Sequence, residues 1–166
     1  NFLKWQFVKS EEKAIYEYND LGESVSKVTV TVLEDGVKFT FVSTETANTF
    51  GYGVCLQATG GNALSVLYAT TGNMAKQAYG DWAWGYNLPS AYGITASRTT
   101  VNGETVSEFF IPNEVLGVES VTELKFCLFE TVNSGGSQYG IYNCCKNGEN
   151  EIAIDGGTQN FLTVNV

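Results

Sequence analysis

The residues best suited to chemistry lie between Tyr79 and Tyr92, a stretch holding two of the chain's three tryptophans and three of its nine tyrosines. If that backbone is extended, Trp82, Trp84 and Tyr86 project to one side at intervals of about 7 Å, comparable with the repeat of a sugar chain. Flat rings stack on the C–H faces of pyranoses, with Tyr79 and Tyr92 extending the aromatic surface. Gln77, Asp81 and Asn87 are placed to exchange hydrogen bonds with sugar hydroxyls and so orient a ligand. Arg98, the only arginine, lies just downstream and offers a rigid fork of donors to vicinal hydroxyls.

The same residues have a second reading, because a sandwich strand must bury one face and Trp82 and Trp84 would serve as core side chains. The segment begins with Gly80-Asp81 and ends with Asn87-Leu88-Pro89-Ser90, the composition of a loop, and loops commonly carry sites. A secondary candidate surface runs from Asn133 to Asn143, where a Gly-Ser loop carries Gln138, Tyr139 and Tyr142. It also reads as an ordinary long hairpin loop. Trp5 reads as an anchor for the first strand.

Absent residue types remove whole classes of function. Without any histidine there is no Ser-His-Asp or Cys-His catalysis and no histidine-ligated zinc or haem. Glycoside hydrolysis needs only two carboxyls about 5 to 9.5 Å apart, and Asp81, Glu104 and Glu108 are nearest in sequence to the aromatic run. Glu104 and Glu108 occupy alternate positions of a strand, however, which is the pattern of a solvated face. A non-catalytic protein is expected.

Eighteen acidic against nine basic residues give a formal charge of −9, which repels nucleic acid and anionic membranes. No apolar run approaches the roughly 20 residues of a membrane-spanning helix. The acidic balance leaves a structural calcium open, although no Asp-rich loop of regular spacing is present, and no other cofactor is expected.

Four cysteines would allow two bridges in three connectivities. Cys144 and Cys145 are adjacent, so in a strand they point to opposite faces and cannot both enter one core. Cys55 and Cys127 sit inside apolar strands, where a thiol packs as a small hydrophobe. The separated Cys-x-x-Cys pairs of a sulfur-only zinc site are missing.

The elements that must position these groups are strands. Aromatics make up 13% of the chain with 18 glycines and two prolines, a profile of many strands and tight turns. Val28 to Leu33 and Val37 to Val42 alternate around Asp35-Gly36, predicting a hairpin with the positive φ angles of a type I′ turn. Asn102-Gly103 predicts the same between about Ile94 and Phe110.

Gly60-Gly61, Asn147-Gly148 and Asp155-Gly156-Gly157 separate further strands, and the last is expected over Asn160 to Val166. Pro112 to Leu116, closed by Gly117, reads as one helical turn, and Gly72 to Tyr79 as another. Turns about every ten residues without alternating helices predict an all-β antiparallel sandwich or barrel in one domain, 1–166, cut from a larger protein.

Thr105-Val106-Ser107-Glu108-Phe109-Phe110-Ile111-Pro112-Asn113-Glu114-Val115-Leu116-Gly117, followed by Leu124-Lys125-Phe126-Cys127-Leu128-Phe129-Glu130, resembles the DOMON-like superfamily that includes the family 9 carbohydrate-binding modules. Val28 to Leu33, Val37 to Ser43 and Gly51 to Gln57 are similar to the strands that open that pattern. The resemblance implies a two-sheet antiparallel β-sandwich, jelly-roll or immunoglobulin-like. It also implies a sugar held by aromatic rings, for which Trp82 and Trp84 are the candidates.

The haem-binding branch uses Met and His ligands, from which this chain departs, having no histidine and Met74 as its one methionine. The expectation is a monomeric, glycan-binding module of a bacterial extracellular or cell-surface protein, taking a polysaccharide or oligosaccharide such as an α- or β-glucan. The alternative is a structural or adhesive module that binds a protein partner.

Overall fold

The computed structural model describes residues 11–19, 21–69, 72–76, 89–134, 137–141, 150–154 and 157–166. Its strands are β1 (Glu12–Asn19), β2 (Val25–Leu33), β3 (Gly36–Ser43), β4 (Thr49–Ala58), β5 (Ala63–Ala69), β6 (Gly72–Lys76), β7 (Thr95–Val101), β8 (Glu104–Pro112), β9 (Glu123–Ser134), β10 (Ser137–Ile141), β11 (Asn150–Ile154) and β12 (Gly157–Asn165). A 3-10 turn covers Pro89–Tyr92, and a one-turn helix, α1, covers Asn113–Leu116.

The strands form two antiparallel sheets, as the turn spacing predicts. The first has the order β1-β2-β3-β8-β7, and the second β11-β12-β9-β4-β5-β6 with β10 also paired to β9. Phe39, Phe41 and Phe109 from the first sheet meet Tyr52, Val54, Leu56 and Phe126 from the second, all at 1% exposure or less. Edge-on ring pairs knit the layers, with Phe39 and Phe126 centroids 6.3 Å apart and Tyr18 and Phe126 5.5 Å apart.

Asn102 and Gly103 take φ angles of 53° and 78°, the positive values predicted for the β7–β8 turn. The turn between β2 and β3 corrects the expectation. Neither Asp35 nor Gly36 has a positive φ, so no type I′ turn forms there. Gly36 is needed for space instead, since a Cβ on it would lie 2.4 Å from the Ile111 carbonyl oxygen and 2.9 Å from the Phe110 ring. The turn is held from outside: the Asn113 backbone N–H donates to the Asp35 carbonyl (2.9 Å) and its side-chain amide to the Glu34 carbonyl (2.9 Å).

Pro112 sits at the N-cap of α1, and Gly117 closes it at φ 74°, donating to the Glu114 carbonyl at 3.1 Å. The helical turn expected from Gly72 to Tyr79 is corrected over its described part. Residues 72–76 are strand β6, paired antiparallel to β5 from Ser65–Lys76 to Ala69–Gly72, because the ladder satisfies more backbone groups than an isolated turn. Residues 77–79 lie outside the described residues.

The first sheet alternates buried and exposed positions, as in the β8 pattern with Thr105, Ser107, Phe109 and Ile111 buried. The second sheet does not. On β4, β5 and β9 the positions facing away from the core are buried too, including Cys55 at 0%, Leu67 at 1%, Cys127 at 0% and Phe129 at 1%. Near-continuous apolar runs on these strands follow from burial on both faces.

One buried acid is absorbed by this architecture. Glu130 on β9, at 0% exposure, accepts from the Ser24 backbone N–H at 3.0 and 3.2 Å and from the Ser24 hydroxyl. These bonds tie the entry of β2 in the first sheet to the second, and Gly22 leaves the room the carboxylate fills.

Candidate functional site

The two lateral openings of the sandwich are closed differently. At the β1 side, Tyr16 Oη donates to the Asn165 carbonyl (2.7 Å) and Lys13 Nζ to the Val121 carbonyl (3.1 Å), so side chains meet main chain. At the β7 side the closure is a seam of polar side chains from both sheets. Register explains why they meet: Phe41, Ser107 and Arg98 are opposed across β3, β8 and β7, and Tyr52, Tyr68 and Asn73 across β4, β5 and β6. These two rows face each other across the core.

The Arg98 guanidinium lies 4.4 Å from the Tyr68 ring centroid, a cation–π contact, and its Nη2 is 3.7 Å from Glu45 Oε1. The ion pair is too long for a hydrogen bond. Arg98 remains 43% exposed and Glu45 25%, with the Oε1 that faces the guanidinium itself buried. Behind them the Tyr68 and Tyr52 rings stack at 4.8 Å, and Tyr52 Oη exchanges a hydrogen bond with Ser107 Oγ (2.8 Å) and receives one from Ser43 Oγ (3.2 Å).

Three polar oxygens in this seam, Glu45 Oε1, Tyr68 Oη and Asn73 Oδ1, are buried without a hydrogen-bond partner among the described residues. Each such atom costs about 1–3 kcal/mol. Tyr68 itself is only 2% exposed, so its hydroxyl is held in place by packing.

Burial pushes the Tyr52 phenol above its ordinary 10.0, and the Glu45 carboxylate adds to this, while the Ser107 and Ser43 hydrogen bonds and the Arg98 charge work the other way. The raised value fixes the sign of a pH effect. The contribution is fully present below the unfolded tyrosine value and is lost as pH rises through the higher folded one, because the unfolded chain releases its proton first. Tyr52→Phe is therefore expected to lose about 1 kcal/mol at neutral pH, from the broken hydroxyl bonds, yet to show a shallower stability loss above about pH 10. Urea midpoints measured across that range for both proteins check it.

Of the residues singled out from sequence, Arg98 stands in this seam. Tyr92, at the end of the 3-10 turn, is half-buried and packs against the core. Gln77, Tyr79, Asp81, Trp82, Trp84, Tyr86 and Asn87 lie outside the described residues, as do Trp5, Tyr142, Cys144 and Cys145. The strand and the turn that flank residues 77–88, β6 and Pro89–Tyr92, touch each other, and the turn also touches β7, which carries Arg98. Gln138 and Tyr139 pair through β10 with Asn133 and Val132.

Glu104 and Glu108 alternate with the inward Thr105, Ser107 and Phe109 and so face away from the seam; Glu108 accepts from Thr40 Oγ1 at 3.2 Å. Glu45, Tyr52, Tyr68, Asn73 and Ser107 escaped the sequence reading. The available signal was hydroxyls at inward positions of β8, which gains meaning only with the register.

A shallow polar cleft of ≈ 260 Å³ lies over β4, β9 and β12, lined by Gln57, Thr59, Glu123, Lys125 and Thr163. Some of its side chains are already engaged: Thr59 Oγ1 donates to Glu123 Oε1 at 2.7 Å and the Gln57 amide to the Gly61 carbonyl at 3.0 Å. Among the described residues no group of three or more Cys, Asp or Glu is placed to hold a metal ion, and no helix is long and apolar enough to cross a membrane. Comparison of the chain with family models, curated proteins and solved structures found no match.

Proposed function

We propose that this chain is a non-catalytic carbohydrate-binding module whose ligand is a neutral polysaccharide or oligosaccharide, with α- and β-glucans the leading candidates. The observation that carries the reading is the β7-side seam, where the part-exposed Arg98 guanidinium, ion-paired with Glu45, stands beside Tyr68 Oη and Asn73 Oδ1, which have no hydrogen-bond partner among the described residues. Sugar hydroxyls donate and accept at once, so they match a mixed set of donors and acceptors, and the paired charges of Arg98 and Glu45 favour an uncharged partner.

Trp82 and Trp84, with Tyr86, supply the stacking surface in this reading, and the resemblance to sugar-binding sandwich modules supports it. A single stacked patch implies a Kd on the order of 0.01 to 1 mM, raised by multivalency in a larger extracellular or cell-surface protein.

The test is affinity electrophoresis of the wild type, Trp82→Ala and Trp84→Ala through gels containing starch, xylan, mixed-linkage β-glucan or mannan. Retardation in one gel, removed by either substitution in a folded variant, supports the module and places its platform. Free migration of the wild type in all four gels overturns the reading and leaves a structural or adhesive module that binds a protein partner.

A further inference from the structure

We propose that Cys55 and Cys127 are built to join as a cross-strand disulfide between the two central strands of the second sheet. The two residues are directly opposed in the β4–β9 register, within a ladder that runs without a shift from Gly51–Thr131 to Ala58–Leu124. Opposed residues of antiparallel strands project to the same face, with Cα atoms about 4.5 or 5.5 Å apart depending on the pair type. Both separations fall inside the span of about 4.4–6.8 Å that a disulfide bridges. A shift of one residue would turn one thiol into the core, so the juxtaposition is specific to this register.

Both residues are thiols in this structure and both are at 0% exposure, on the face turned away from the inter-sheet core. Ser65, opposite Cys55 on β5, donates its hydroxyl to Cys55 Sγ at 3.4 Å. This contact fixes the Cys55 sulfur against β5. Burial in the finished sheet slows attack, so the bond forms as β4 and β9 come together or during local opening.

The oxidant is a low-molecular-weight disulfide. The thiolate of either cysteine attacks one of its sulfurs, breaking that S–S bond and expelling a thiolate. The thiolate of the other then attacks the protein sulfur of the mixed disulfide and expels the second. The protein gives up two electrons and two protons, and the small disulfide leaves as two thiols. This chemistry needs an oxidising compartment, the setting also expected for an extracellular module, yet it is independent of the glycan reading.

The test is refolding of the wild type and of a Cys144→Ala/Cys145→Ala variant in a mixture of reduced and oxidised glutathione, followed by non-reducing peptide mapping. The expected result in both is a peptide pair joined through Cys55 and Cys127. In the variant, two fewer alkylatable thiols and a higher urea midpoint than after reduction are expected. Cys55 and Cys127 both alkylatable after denaturation, glutathione adducts without the internal bond, or joining of either residue to Cys144 or Cys145 in the wild type would each overturn the proposal. If the variant fails to fold, the wild-type map alone decides.

Discussion

Arg98→Ala is expected, on the proposed glycan-binding function, to weaken retention by roughly 10- to 100-fold while leaving the protein folded. The magnitude follows from losing hydrogen bonds to a charged donor, about 1.5–3 kcal/mol, at 1.4 kcal/mol per tenfold. Folding should survive because the side chain is 43% exposed and its loss leaves Tyr68 still packed on Tyr52. Arg98→Lys should recover little, since a lysine keeps the charge but lacks the planar fork that lies over Tyr68 and reaches toward Glu45. Calorimetric titration with the retarding glycan and a urea midpoint for each variant separate the two effects. Unchanged affinity in a folded Arg98→Ala protein would remove the seam from the binding site.

Gly53→Ala is expected to be the most damaging small substitution in the second sheet, at about 3 kcal/mol or more. A Cβ on Gly53 would sit 2.0 Å from the Val66 carbonyl oxygen and 3.0 Å from the Leu67 Cα. Both are backbone atoms of β5, which cannot rotate aside as a side-chain tip can. β4 lies between β9 and β5, so any relief must move the centre of the sheet. Gly103→Ala is the informative comparison: it has nothing within 4 Å but a φ of 78°, so it carries only the conformational cost of about 1–2 kcal/mol. Urea unfolding of the two variants side by side checks the order, and equal midpoints would mean that β4 and β5 have room to part.

Both predictions turn on distances between residues far apart in the chain, which local sequence rules do not encode. Where a rule is local, the fold is legible in the sequence. Asn102-Gly103 demands positive φ wherever it stands, and Pro112 to Gly117 carries its own start and stop, so both appear as expected. The period-two pattern of β3 and β8 exposed the buried face of the first sheet, because one side of that sheet meets solvent.

Asp35-Gly36 shows the limit of such rules. The strands on either side were correctly placed, but the turn is braced by Asn113, and Gly36 is required by the approach of Ile111 and Phe110. The residues of the brief Gly72–Lys76 segment scarcely favour a strand by themselves; pairing with β5 makes it one. Trp82 and Trp84 were conspicuous by type alone, whereas Glu45, Tyr52, Tyr68 and Asn73 look unremarkable in one dimension. Chain-local dihedral preferences and side-chain alternation thus set the strands, most of the turns and the all-β class. The seam around Arg98 and the opposition of Cys55 to Cys127 arise from strand register and sheet packing, because only those bring residues separated by tens of positions within reach of one another.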